Sequence, residues 1–394
     1  MNAQPAAVAG ASFAWTATAV ILAGVLTSWA DPIAGHCLNA AALALAASWL
    51  IRYGFAGGTH WLVIPLLSVC AWGIVQLSLQ WTVYPYETWN AISSWLARAA
   101  FLYLAFATLK RDRIRDSILS TLVLCGGLLS IVGMIQWFTG NGQVLWLIPT
   151  AYRDEVMGTF LNRDHYAVFV ELILPIALTR ALLSVGPKFL YVLVSAFLYA
   201  SVVGSGSRAG TIFVSLEATV IIAVAWFRNA REYREILLVA AGMAVCSLAA
   251  GWQYVWFRFH AVDLLAFRRE MALATIQMVQ TRPLTGFGLG TWPTVYPAFA
   301  LFDPPGFFMN HAHNDWLEWM ADGGVPFALG LVSVAYAAVS FAKRNWWSLG
   351  VPIALLHAVV DFPMQKASIA ALAFFLLGAA AAADHRTATD VKDA

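Results

Sequence analysis

Two histidines, one amide and two carboxylates fall within the eight residues from His311 to Glu318: His311, Ala312, His313, Asn314, Asp315, Trp316, Leu317 and Glu318. Imidazoles and carboxylates at this density can hold a metal or move a proton. A metal site needs three or more ligands, and the His-x-His pair has no third ligand near it in sequence, so no metal is expected. His313 followed by Asn314 better suits a general base, or an anchor for a substrate hydroxyl. Glu318 lies five residues beyond His313 and is expected to point elsewhere. Asp315 and Asp322 fit ordinary helix caps.

Arginines offer a second chemistry. The run Gly204-Ser205-Gly206-Ser207-Arg208-Ala209-Gly210 breaks a helix and lets backbones approach closely. Its Arg208 would sit on a turn, where a planar fork can grip a phosphate or carboxylate at two points. A side chain snorkelling to lipid headgroups is the competing reading. Further on, Leu264, Leu265, Phe267, Met271, Ala274, Thr275 and Met278 fit the apolar face of an amphipathic helix lying on a membrane surface. Arg268 and Arg269 sit within it, and either alone is better read as part of a solvated polar face. Pro283 ends this helix. Gly286, Gly288 and Gly290 then form a tight turn that brings backbone close to a ligand or to another helix. With no βαβ unit around them they are not a dinucleotide fingerprint.

Two more segments carry polar residues beside apolar runs. Asn162, Arg163, Asp164 and His165 open one such run, with Asn162 or Asp164 as its cap. His357 and Asp361, one turn apart on a single helix face, read as a structural hydrogen bond.

The elements that must position these groups are membrane helices. The chain has 394 residues, of which 61% are hydrophobic and 11% charged. A soluble domain is about 45–50% apolar and about 25% charged. The composition therefore indicates an all-α, polytopic integral membrane protein forming one membrane domain over residues 1–394. Titratable groups are costly in that setting, so a cluster of them marks a functional site. Twelve spans are expected, near 13–30, 35–51, 61–81, 89–109, 117–137, 165–185, 188–204, 210–227, 236–256, 316–342, 346–361 and 367–384. The residues Gly323-Gly324-Val325-Pro326 should kink the tenth. The four cysteines lie inside apolar runs without metal-ligand spacing and read as small buried hydrophobes. The formal net charge of +2 says nothing about nucleic acid, but with no basic tract to bind it no nucleic-acid partner is expected.

Lysines and arginines collect in cytoplasmic loops. With both termini inside, fourteen of the 23 basic residues fall on the cytoplasmic side. The exceptions concentrate on the outer face, four of them in the large loop 257–312. Something on that periplasmic face is expected to need positive charge.

Taken in order, these motifs resemble a known family. Asn162, His165 and Ala167 form an NxxHxA-like opening to a central span. Ser207-Arg208-Ala209-Gly210 is an SRAG turn. Arg268 precedes the PxxGxGxG turn at Pro283 by fifteen residues, His313-Asn314 opens the next span, and His357 to Pro363 reads HxxxDFP. The pattern, from about 157 to 366, is similar to that of the O-antigen ligase and Wzy-type polymerase superfamily of bacterial polysaccharide enzymes. Asp164 departs from it, where many relatives carry a second Asn.

The resemblance implies a C-type membrane glycosyltransferase architecture with its catalytic core in 157–366. It implies transfer of a glycan from undecaprenyl pyrophosphate to an acceptor hydroxyl at the periplasmic face of the bacterial inner membrane. The acceptor would be lipid A core for a ligase or another lipid-linked glycan for a polymerase, with no cofactor. Arg208, Arg268 and His313 take the catalytic positions. Arg269, Asn314, Arg163, His165 and His311 are expected to bind substrate. Trp292 and Trp316 suit either sugar stacking or an interfacial belt. The alternatives are a protein O-oligosaccharyltransferase and a small-solute transporter. A transporter would be expected to show repeated halves and polar groups at mid-membrane, whereas here the polar residues gather at one face.

Overall fold

The computed structural model describes residues 3–150, 155–184, 188–228, 233–260, 267–301 and 308–390. Among these residues every regular element is helical, and the only extended pairings are the isolated bridges Val144–Ile148 and Met157–Phe160. Apolar runs in hydrocarbon must satisfy their backbone groups internally, which a helix does.

The first half comprises α1 (Ala3–Leu26), α2 (Ile33–Tyr53), α3 (Val63–Ser78), α4 (Pro85–Thr108), α5 (Asp112–Thr139) and α6 (Arg163–Leu182). It continues through α7 (Phe189–Ser205), α8 (Arg208–Arg228), α9 (Tyr233–Ala250) and α10 (Trp252–Phe259). Then come α11 (Arg268–Thr281), the single turn α12 (Trp292–Val295), α13 (Asp315–Gly323), α14 (Val325–Arg344), α15 (Gly350–His357) and α16 (Ala367–Asp390).

Among the described residues eight helices are long and apolar enough to cross a membrane, or nine if the bent α9–α10 pair is one span. That is fewer than the twelve expected. Helices α3 and α7 are apolar but have only 16 and 17 residues. The expected span 346–361 is instead a 3-10 turn followed by the eight residues of α15. At about 1.5 Å per residue that helix reaches only about 12 Å, well short of a bilayer. The expected span 316–342 is broken where the Gly-Gly-Val-Pro run places a kink. Gly324 takes φ +82°, and α14 restarts at Val325 with Pro326 in its first turn.

Helices α4, α6 and α16 form the centre. Their spanning windows are 78%, 89% and 89% enclosed, against 33% for α2 and α8. Helix α4 packs on α2, α3 and α16, and α6 packs on α5, α7, α8 and α15. The exposed outer faces carry Ile33, Ile51, Ile64, Leu128 and Phe227, the side chains a lipid tail would cover. Cys37 is exposed on α2, so only Cys70 of the four cysteines is a fully buried hydrophobe.

The described residues between α10 and α13 fold onto the protein. The α11 stripe Met271, Ala274, Thr275 and Met278 was expected to rest on a membrane surface, but it is buried in a second apolar cluster with Phe287, Trp292, Val295 and Tyr296. Leu264 and Leu265 of the same expected face lie outside the described residues. The glycine turn seats the end of α13. Phe287 and Gly288 donate backbone hydrogen bonds to Ala321 O and Asp322 O, both at 3.0 Å. Gly290 N donates to Asp322 Oδ2 at 2.9 Å. Of the two uses expected for this turn, the structure shows the approach to another helix. Positive φ at all three glycines makes that approach possible.

Candidate active site

The SRAG segment forms the turn between α7 and α8. Gly206 caps α7 in the left-handed conformation (φ +74°), and a Cβ there would fall on the Tyr254 ring. Ser207 then caps the next helix by accepting from Gly210 N at 3.1 Å, and it donates to Asp164 Oδ1 at 2.6 Å. Arg208 starts α8 and donates to Arg258 O at 3.5 Å, while Arg258 donates to Gly206 O at 2.8 Å. Arg258 reaches this turn because the chain bends by 79° between α9 and α10.

Helix α6 begins beside it. Asn162 Oδ1 caps the helix by accepting from Asp164 N at 2.7 Å. Arg163 is buried, donates to the Tyr254 hydroxyl at 3.0 Å and pairs with Glu155 at 3.3 Å. Asp164 receives Arg268 Nη2 at 3.0 Å. The other arm of the same guanidinium donates to Val360 O at 3.0 Å. Arg268 therefore ties α6 to the segment after α15. Burial opposes its charge, but the Asp361 and Asp164 carboxylates outweigh that and raise its pKa further. Four guanidiniums, from Arg163, Arg208, Arg258 and Arg268, are linked through this network.

His313 stands at its edge. It adopts φ +50°, a left-handed backbone that costs a β-carbon residue about 1–3 kcal/mol and occurs preferentially at functional positions. Its Nδ1 lies 2.9 Å from Asp361 Oδ1. Asp361 is fully buried just past the end of α15. Burial alone would raise its pKa, but the His313 hydrogen bond and the nearby Arg268 guanidinium hold it well below the usual carboxylate range. An ionised Asp361 accepts a proton-bearing Nδ1, which leaves Nε2 of His313 as the free base. Asp315 secures this arrangement: its N donates to Ala358 O at 2.8 Å and its Oδ2 accepts from Met364 N at 2.9 Å.

Phe362 is the hub of the histidines. Its ring lies 4.7 Å from His165, 4.6 Å from His311 and 4.7 Å from His313. His311 Nδ1 is 2.9 Å from Glu318 Oε1, and Glu318 Oε2 accepts from Ala312 N at 2.8 Å. Glu318 thus points away from His313, as its spacing indicates.

The structure brings Arg163, His165, Arg208, Arg268, His311 and His313 into one region. Two more of the expected residues differ from these in their surroundings. Arg269 is exposed where Arg268 turns inward. Asn314 uses its side-chain oxygen to cap α13, accepting from Leu317 N at 3.0 Å. Trp292 is neither a belt residue nor a sugar platform: it is fully buried, stacked on Tyr296, and donates to Thr275. His357 does not pair with the Asp361 side chain. Its Nδ1 is 2.8 Å from Glu171 Oε1 in the interior. Asp164, Arg258, Asp361 and Phe362 are the residues that sequence reasoning undervalued. Asp361 and Phe362 stand in the late HxxxDFP run, which was the available signal. Among the described residues no group of three or more His, Cys, Asp or Glu is arranged to hold a metal.

No curated protein matches the chain. A family model does match, over residues 192–333, from α7 into α14. The matched segment contains Arg208, Arg268 and His313, while Asp164 and Asp361 lie outside it. The family is that of the O-antigen ligase, and this match is consistent with the O-antigen ligase and Wzy-type superfamily of membrane proteins that process polysaccharides.

Proposed function

We propose that this chain transfers a glycan from an undecaprenyl-pyrophosphate donor to an acceptor hydroxyl at the periplasmic face of a bacterial inner membrane. Residues 157–366 are its catalytic core, 257–312 lie in the periplasm, and both termini lie in the cytoplasm. The observation that carries this reading is the His313–Asp361 pair set beside Arg268, whose guanidinium donates to the carbonyl of the residue before Asp361.

A lipid diphosphate carries about two negative charges and gains more as it leaves. Arg268 and Arg208, supported by Arg163 and Arg258, stabilise that developing charge more than the bound ground state. His313 Nε2 takes the proton of the acceptor hydroxyl. The acceptor oxygen attacks the anomeric carbon as the bond to the diphosphate oxygen breaks, and the electron pair leaves with the diphosphate. One in-line displacement inverts the anomeric centre. The donor's own bond supplies the energy, so the reaction needs no nucleotide, and the guanidiniums supply the positive charge without a metal.

The test is transfer by purified protein reconstituted with a lipid-linked glycan donor. Arg268→Ala and His313→Ala should each abolish transfer while the protein remains at its normal level in the membrane. Unimpaired transfer by Arg268→Ala would overturn the proposal.

A further inference from the structure

Helix α15 packs on α6 and α8. Toward α14, it and the 3-10 turn before it border an apolar groove of about 510 Å³. The groove exists because α14 runs for 20 residues, about 30 Å, beside a helix of only eight. Ala335 and Ala342 on α14 are too small to fill the space. Val339, Leu356 and Val359 line it and remain 42%, 48% and 45% exposed, so the walls are presented to the surroundings of the helices. In a bilayer those surroundings are lipid chains, which are as apolar as these side chains.

The polar end of the groove decides which lipid fits. Among the described residues Lys343 is the only charged group on the lining. It is exposed and has no ion-pair partner among the described residues, whereas its neighbour Arg344 is held by Asp384 at 2.8 Å. Trp346 stands beside that mouth, a residue type that favours the membrane–water boundary. Trp316 lines the groove as well, and its Nε1 is committed to Leu355 O at 3.0 Å, so it offers no free donor there. None of the four site arginines lines the groove, which separates it from the place assigned to the donor diphosphate.

We propose that this groove binds an anionic membrane phospholipid, with one acyl chain between α14 and α15 and the phosphate at Lys343. A single basic residue near an anionic headgroup supplies the preference, and the apolar walls supply the bulk of the affinity. The lipid fills the packing that α15 is too short to make. Asp361 lies just past the end of α15, so the lipid also braces the segment that carries the carboxylate of the dyad. The inference is independent of the transfer reading, because its test reads binding and stability alone.

Lipid-depleted protein in detergent is titrated with phosphatidylglycerol, phosphatidylcholine or inorganic phosphate, and followed by native mass spectrometry and melting temperature. Phosphatidylglycerol should bind about fivefold more tightly than phosphatidylcholine and raise the melting temperature. Inorganic phosphate should do neither. Lys343→Ala should bring phosphatidylglycerol down to the phosphatidylcholine level. Arg52→Ala, which removes an exposed cation at the end of α2, should leave both lipids unchanged. Val339→Trp and Leu356→Trp fill the groove from opposite walls at exposed positions, and each should weaken both lipids about tenfold or more. Equal losses in Lys343→Ala and Arg52→Ala would reduce the effect to general surface charge. Unchanged lipid binding in both tryptophan variants would place the lipid elsewhere, and stabilisation by inorganic phosphate would make Lys343 a simple anion contact. Displacement of phosphatidylglycerol by a polyprenyl phosphate would give the groove to the carrier lipid. Any of these four results would overturn the proposal.

Discussion

His313 and Asp361 are 48 positions apart in sequence, and their side chains meet at 2.9 Å, Nδ1 to Oδ1. The contact joins the loop before α13 to the end of α15. It selects one imidazole tautomer and aims the other nitrogen outward. Asp361 is thus a positioning residue for a base, and its substitution should act through the histidine.

Asp361→Asn should lower transfer by about 10²–10⁴-fold, the usual contribution of a correctly presented general base. The pH–rate profile distinguishes this from a folding defect: the variant should show a displaced limb, whereas misfolded protein would lose amplitude at every pH. Activity within fivefold of wild type, with an unshifted profile, would remove the dyad from the mechanism.

The depressed pKa of Asp361 has a direct consequence for stability. Its contribution is fully present above the unfolded value of about 3.9 and is lost only as pH falls through the lower folded value. The melting temperature of Asp361→Asn should therefore trail that of wild type by a margin that does not shrink between pH 8 and pH 5.5. A margin that narrows over this window would mean that the carboxyl titrates there.

Arg268 and Arg269 are neighbours with opposite fates. Arg268→Ala should lower transfer by about 10²–10³-fold, the scale for losing one preorganised charge-stabilising group. Arg269→Ala should stay within about twofold, as expected for an exposed surface substitution. Arg268→Lys should fail to restore activity, because a single ammonium cannot reach both Asp164 and Val360 O as the fork does. Equal losses in the two alanine variants would contradict the distinction.

Gly206→Ala tests the SRAG turn. The new Cβ would require a left-handed backbone and would meet Tyr254, the partner of Arg163. We expect a loss of about 1–3 kcal/mol in stability, seen as a lower melting temperature, together with weaker transfer. A variant as stable as wild type would show that the turn is not held as described.

Phe362→Leu keeps an apolar side chain but removes the flat surface against which three histidines pack. A misplacement of about 1 Å at a reacting group can cost about 10²-fold, so kcat should fall while membrane level is preserved. A change confined to KM would point to a binding role for this ring instead.

The sequence by itself determined the all-helical membrane class, because an apolar fraction of 61% cannot be buried in a soluble domain of this size. It also placed the principal polar groups. Arginines and histidines are costly near hydrocarbon, so Arg208 and His313 stood out against their surroundings, and Arg268 was singled out by its spacing to Pro283 in the family-like order of motifs. The break at Gly324 was legible too, since Gly-Gly-Val-Pro is a local signal. The number of spans was not. Hydropathy does not distinguish a crossing helix from a short helix buried among others, and α15 is as apolar as a true span yet has eight residues. Nor does periodicity say what an apolar face rests on, which is why the α11 stripe reads as membrane-facing until Trp292 and Tyr296 are seen beneath it. Only the tertiary structure decided which partners meet. Asp164 with Arg268 spans 104 positions, and Arg98 with Met364 spans 266. Such pairings depend on how helices pack, and no local spacing encodes them. That Arg268 turns inward and Arg269 outward has the same origin: adjacent helix positions point about 100° apart, and only the neighbouring chain shows which direction is inward.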